Sequence, residues 1–167
     1  MRLFIAINFD PDTKEKLLDV QRRLKACASG NFTRPENLHL TVAFLGEVGE
    51  AAALKRAISD RFVQPVALEF DRVGTFRRDL YWVGVKPSPA LDDLYRGLVE
   101  DLRRAGFSGD WPNRLVPHIT LAREVALRAQ PDLAFEPFSM AARRLSLMKS
   151  ERIAGLLTYT EVFGKGV

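Results

Sequence analysis

Two hydrophobic periods divide the chain into elements. Residues 3–9 are rich in Phe and Ile and predict a strand. Asp10-Pro11 then offers an N-cap and a proline for the first helical turn. Leu17, Val20, Leu24 and Cys27 follow at helical spacing, with Lys14, Lys16, Arg22 and Arg23 mostly off that stripe. Gly30-Asn31 is expected to end this helix, and the turn Arg34-Pro35-Glu36-Asn37 leads into a strand over 38–45. After a break at 46–49, Leu54, Ala57, Ile58 and Phe62 predict a second amphipathic helix. Strands are expected at 66–70 and 80–85, with Phe76-Arg77-Arg78-Asp79 as their hairpin connection. Leu91, Leu94, Tyr95, Leu98, Leu102 and Ala105 form the clearest helical stripe, closed by Gly106. Residues 109–117 read as a loop, 118–122 as a strand, and 123–137, which lack a sustained period, as loop. Two closing strands are expected at 139–148 and 156–163, with a turn over 151–155. This order predicts an α+β fold with mainly antiparallel sheets.

Within two of these strands the chain repeats a phrase, His39-Leu40-Thr41-Val42 and His118-Ile119-Thr120-Leu121. Only two histidines occur in 167 residues, and both begin this phrase. With seven threonines (7/167), a Thr two places after a given His is a roughly 4% event, so the double occurrence by chance is on the order of two in a thousand. The repeats lie 118 − 39 = 79 residues apart, about half the chain, each after a helix. That spacing predicts one domain over 1–167, built of two pseudo-duplicated lobes facing across a cleft.

On a strand, alternate side chains share a face. His39 and Thr41 therefore point one way and Leu38, Leu40, Val42 and Phe44 the other; His118 and Thr120 likewise oppose Ile119 and Leu121. Strict alternation assigns Phe44 to the core. It also assigns Arg123 to the core side, unless the strand ends or bulges before it. Facing polar fronts would gather two imidazoles and two hydroxyls, a set suited to in-line attack at phosphorus. A neutral imidazole takes a proton from water, a protonated one delivers a proton to the departing oxygen, and the hydroxyls bond the non-bridging oxygens. The scheme requires no metal or cofactor.

Composition narrows the classes. Hydrophobic residues make up 47% and charged residues 28%, as in an ordinary globular protein. A net charge of +4 and a pI near 9.5 suit a phosphate-bearing partner. The lone Cys27 excludes an intrachain disulfide and a cysteine-built zinc site and fits a reducing, cytoplasmic setting. Residues 1–10 do not read as a secretory leader, and no stretch is long and apolar enough to span a bilayer. HExxH, CxxC, Gly-x-Ser-x-Gly and Gly-rich phosphate loops are all absent from the sequence.

The blocks Asn37-Leu38-His39-Leu40-Thr41-Val42-Ala43-Phe44-Leu45-Gly46 and Pro117-His118-Ile119-Thr120-Leu121-Ala122-Arg123 resemble the two motifs of the 2H phosphoesterases. Within that superfamily they are most similar to the LigT-like RNA 2′,3′-cyclic phosphodiesterases, also called 2′-5′ RNA ligases. The similarity extends to Arg2-Leu3-Phe4-Ile5-Ala6, Tyr81-Trp82-Val83-Gly84 and Ser146-Leu147-Met148-Lys149-Ser150. The resemblance implies a bilobal α+β fold, two antiparallel sheets facing across a central cleft with helices packed outside. It implies hydrolysis of a terminal 2′,3′-cyclic phosphate on RNA, tRNA fragments included, to a 2′-phosphate, and reversal of that step as 2′-5′ ligation. The family roles carry over to His39 as proton donor and His118 as proton acceptor, although the sequence alone does not decide between them. Thr41, Thr120 and Arg123 carry over as phosphate contacts. No membrane and no obligate protein partner are implied. Phosphodiesterase action on 2′-5′-linked oligonucleotides or small cyclic nucleotides, and a non-catalytic RNA-end-binding module, are the alternatives. Arg77-Arg78 beside Phe76 could also receive RNA, a solvated turn being the plainer reading; Trp82 is expected in the core.

Overall fold

Local chemistry sets the helix ends. The Asp10 side chain accepts from Thr13 N at 2.7 Å, with Pro11 in the first turn, so the first helix starts where the sequence places it. Ser88 caps the third helix in the same way at 3.2 Å, and Arg103 and Arg104 occupy its last turn, where cations suit the helix dipole. The computed structural model describes residues 1–167. It comprises β1 (Arg2–Asn8), α1 (Pro11–Ala26), β2 (Ala28–Phe32), a 3-10 turn (Pro35–Asn37), β3 (His39–Glu47), α2 (Ala52–Arg61), β4 (Val66–Phe76), β5 (Leu80–Val85), α3 (Pro89–Arg104), β6 (His118–Leu127), β7 (Phe138–Ala142), β8 (Arg144–Ile153) and β9 (Leu156–Gly166). No helix is long and apolar enough to cross a membrane.

The strands pair antiparallel throughout, into a four-stranded sheet β3-β1-β8-β9 and a five-stranded sheet β2-β6-β5-β4-β7. Each sheet receives one motif strand at or next to its edge, β3 in the first and β6 in the second. The expected α+β, two-sheet architecture is the one observed. One continuous apolar core joins the backs of both sheets to the helices. Ile5, Ile7, Leu40 and Leu147 meet Val83, Ile119 and Leu121, together with Leu17 of α1, Ile58 of α2 and Leu98 of α3. Each such side chain removed from water contributes about 1.5–3 kcal/mol, so the polar cleft face is held by its apolar back.

The structure corrects several expectations. Residues 28–32, expected at a helix end, form β2 against β6. The helix does stop at Cys27, whose N–H bonds Leu24 O, but the chain continues extended. Gly30 permits this, because a Cβ there would lie 3.0 Å from Arg123 O and 3.2 Å from Val125 Cα. The expected strand over 139–148 is two strands in different sheets, broken at Arg143. A single apolar run cannot reveal that change of sheet. The strand expected at 66–70 runs to Phe76, and the one expected at 118–122 runs to Leu127 through Glu124 at φ +54°.

Candidate active site

Both motif strands carry the same irregularity at the same place. Between the pairs Ile5↔Ala43 and Ala6↔Thr41, β1 advances one residue and β3 two, leaving Val42 as the extra residue of a bulge. Between Trp82↔Thr120 and Tyr81↔Ala122, β5 advances one and β6 two, leaving Leu121 as the extra residue. A bulge inverts the alternation beyond it. Val42 and Ala43 are both buried, as are Leu121 and Ala122, and the next residue of each strand turns outward. Those residues are Phe44, which is 59% exposed, and Arg123. Phe44 is therefore not a core residue, contrary to the strict-alternation expectation. Arg123 joins His118 and Thr120 on the cleft wall because the strand bulges before it.

Backbone groups freed by the second bulge find partners. Leu121 O accepts from Gln21 Nε2 at 3.0 Å and from Thr33 N at 2.9 Å, while Thr33 Oγ1 donates to Thr120 O at 2.8 Å. Beyond the first bulge, Trp111 Nε1 donates to Phe44 O at 2.7 Å, which ties the 109–117 loop to the strand. Satisfied in this way, the bulges are stable features of the scaffold.

The cleft between the sheets has a volume of about 410 Å³, and His39, Thr41, His118, Thr120 and Arg123 all line it. Each histidine is fixed through Nδ1. His39 Nδ1 lies 2.6 Å from Asn37 O and His118 Nδ1 lies 2.8 Å from Val116 O. A carbonyl only accepts, so Nδ1 carries the proton in both rings and Nε2 is left for chemistry. His39 Nε2 lies 2.8 Å from Thr41 Oγ1.

Aromatic rings brace each imidazole in a matching way. Phe4 and Tyr159 pack on His39 at 5.1 and 5.2 Å between centroids, Tyr159 edge-on. Phe76 and Trp82 pack on His118 at 5.0 and 6.2 Å, Phe76 edge-on. Trp82 is buried as expected, but on the cleft face of its sheet, with its ring laid across Gly74. The two environments still differ. Burial lowers the His39 pKa below 6.5; the Asn37 carbonyl opposes this, and the charges of His118 and Arg123 reinforce it. Burial also raises the Tyr159 phenol, with Arg123 opposing. The free cleft thus favours a neutral His39.

The cleft walls differ in character. Phe44, Tyr95, Trp111, Pro112, Leu115 and Val116 form an apolar side, with Tyr95 Oη donating to Pro112 O at 2.5 Å. Asn31, Arg34, Asn37 and Arg123 form a polar and cationic side, where Asn37 Nδ2 donates to Leu157 O at 3.0 Å. Sequence reasoning missed Phe44 and Tyr159. The first was recoverable: extended by two residues, the repeated phrases place Phe44 and Arg123 at the same offset from their histidines. Tyr159 had no such signal, since it reaches His39 only through the sheet order β3-β1-β8-β9.

Comparison with known proteins gives the family of the fold. Residues 9–154 match the family model of the 2′-5′ RNA ligase superfamily. The chain is 34% identical over 140 residues to the RNA 2′,3′-cyclic phosphodiesterase of Archaeoglobus fulgidus, covering 80% of this chain and 77% of that protein. It is 32% identical over 167 aligned positions to the Escherichia coli protein of the same name, covering 95% and 92%. The crystal structure of E. coli LigT complexed with NADP+ superposes with a TM-score of 0.79 at 29% identity, covering 99% of this chain and 96% of that one. Two antiparallel sheets, one His-x-Thr strand in each, and a family match over most of the length lead to one assignment: the chain belongs to the 2′-5′ RNA ligase superfamily.

Proposed function

We propose that this protein hydrolyses 2′,3′-cyclic phosphate ends of RNA to 2′-phosphomonoesters by two-histidine acid–base catalysis. The observation that carries the reading is the pair of Nδ1-anchored imidazoles, one from each sheet, lining one cleft with Thr41, Thr120 and Arg123. The names of the A. fulgidus and E. coli relatives support the substrate class. His118 Nε2 takes a proton from water as its oxygen bonds to phosphorus. The bond from phosphorus to the ribose 3′ oxygen breaks, and His39 gives its Nε2 proton to that oxygen. The 2′ oxygen keeps the phosphate, and proton exchange with solvent resets the pair. Thr41, Thr120 and Arg123 bond the non-bridging oxygens, where transition-state charge collects. An RNA 5′-hydroxyl in place of water attacks the same phosphorus in the same direction, His118 taking its proton and His39 protonating the departing 3′ oxygen, and the product is a 2′-5′ linkage. The bound phosphate supplies the negative charge that lifts His39 back to its protonated form, opposing the burial that lowers it in the free cleft.

The test is incubation with an RNA ending in a 2′,3′-cyclic phosphate, resolving 2′- from 3′-monophosphate products. Wild type yields the 2′-phosphate, and His39→Ala and His118→Ala each lose at least about a hundredfold in kcat while remaining folded. A 3′-phosphate product, or undiminished turnover in either variant, overturns the assignment. A folded wild type that binds RNA ends without product at any pH overturns it in favour of an end-binding module.

A further inference from the structure

The tip of the β4–β5 hairpin has an unusual backbone. Arg77 and Arg78, successive and exposed, both sit at positive φ, +52° and +67°. Side chains with a Cβ are strained there, and turns with this geometry are normally filled by Asn, Asp or Gly. Neither arginine makes an ion pair or a side-chain hydrogen bond within the protein. Arg72 of the same hairpin is engaged by contrast: it bonds Asp71 at 2.7 Å and lies 5.5 Å over the Trp82 ring. The hairpin thus holds two unneutralised guanidinium groups on strained backbone.

The tip is also fixed relative to the candidate site. Phe76, the residue before it, packs edge-on against His118, and Asp79 O accepts from Val125 N at 3.0 Å, beyond Arg123 on β6. In the register of β5 with β6, His118 faces Gly84 and Ala122 faces Tyr81. Leu80, at the tip end of β5, is four residues from Gly84, roughly 13 Å at strand spacing, and the tip begins just beyond it. That is beyond the reacting phosphate and within reach of the nucleotides that precede it. Cationic side chains beside an aromatic ring are the components of single-strand binding. Of the nearby carboxylates, Glu124 is held by Asn31 Nδ2 at 2.8 Å, and Asp79 occupies the tip itself.

We infer that Arg77 and Arg78 bind the backbone of the RNA strand upstream of the reacting end, so that the hairpin selects oligonucleotide ends over mononucleotides. The inference rests on the proposed RNA substrate. Arg77→Gly/Arg78→Gly removes both charges and relieves the positive-φ strain, so the variant keeps or raises its Tm. The experiment compares kcat/KM on a short oligoribonucleotide 2′,3′-cyclic phosphate with that on adenosine 2′,3′-cyclic phosphate. The oligonucleotide-to-mononucleotide ratio falls about tenfold in the variant, and the salt slope of oligonucleotide binding by fluorescence anisotropy falls by about 1.4, or 0.7 per lost contact. An unchanged ratio, or an equal fall on both substrates, overturns the inference. If wild type turns over neither substrate, the proposed function fails, and anisotropy still decides the hairpin: unaltered oligonucleotide affinity and salt slope overturn it.

Discussion

Gly74→Ala tests how the second histidine is supported. A Cβ at Gly74 would lie 2.8 Å from Trp82 Cζ3 and closer still to Cζ2 and Cη2. Carbon atoms pack best at about 3.5–4.0 Å, so the indole must lift by roughly 1 Å. The indole is already packed by Phe76 at 5.2 Å and by the Arg72 guanidinium, which is held by Asp71, so it has little room to move. Overpacking of this kind costs about 1–3 kcal/mol, or a fall in Tm of roughly 3–9 °C for a chain of this length. Trp82→Phe in the same background removes the ring atoms that clash. It also removes an indole N–H that is buried without a partner, which offsets part of the lost packing. The double variant is therefore more stable than the sum of the single changes implies, by about 1 kcal/mol or more. Thermal melts give the cycle, and kcat shows whether a displaced Trp82 and Phe76 disturb His118. A Gly74→Ala protein melting within about 1 °C of wild type, or strictly additive effects, would refute the stacking argument.

Three further outcomes follow from the cleft. Phe44→Ser costs less than about 1 kcal/mol, where a core phenylalanine would cost about 3–5 kcal/mol, and a chemical-denaturation midpoint separates the two. Arg123→Ala lowers kcat/KM roughly 10- to 100-fold, the loss of one charged hydrogen bond, while Tm is nearly unchanged; equal activity in the variant would remove Arg123 from the site. His39 titrates below 6.5 in the free protein by NMR and moves upward with inorganic phosphate. Because its folded pKa is lowered, its contribution to stability is present above pH 6.5 and is lost as pH falls through the folded value, so acid weakens wild type more than His39→Gln. A His39 midpoint at or above 6.5 without phosphate would contradict the burial argument.

Periodicity located the helices well because their signals are local. Asp10-Pro11 and Ser88-Pro89 mark starts that the backbone respects, and the stripe from Leu91 to Leu102 is the buried face of α3. The motif strands were equally clear, and so was the grouping of His39, Thr41, His118 and Thr120. The failures share one cause, dependence on a distant partner. β2 exists because Gly30 lets the chain approach β6, and the 139–148 run divides because its halves pair with β4 and β1. Phe44 was misplaced because alternation was carried through a bulge that only the register with β1 reveals.

That bulge also explains why the repeated phrase is longer than it first looks. A regular strand offering His and Thr to a cleft returns its next inward position at the fifth residue, which is Ala43 or Ala122. The extra residue at Val42 and Leu121 turns those alanines into the core and brings the sixth position to the front. The two phrases thus share this bulge and set different side chains on the cleft at the sixth position, phenylalanine on one wall and arginine on the other. Burial is the main cause of the lowered His39 pKa; Arg123 adds to it from the opposite wall and opposes the rise at Tyr159, while Phe44 lies 5.8 Å from the Phe4 ring that braces His39. The cleft-facing positions of the two phrases are His, Thr and then the sixth residue, so the sixth is the first place on the cleft wall where the repeats carry different chemistry.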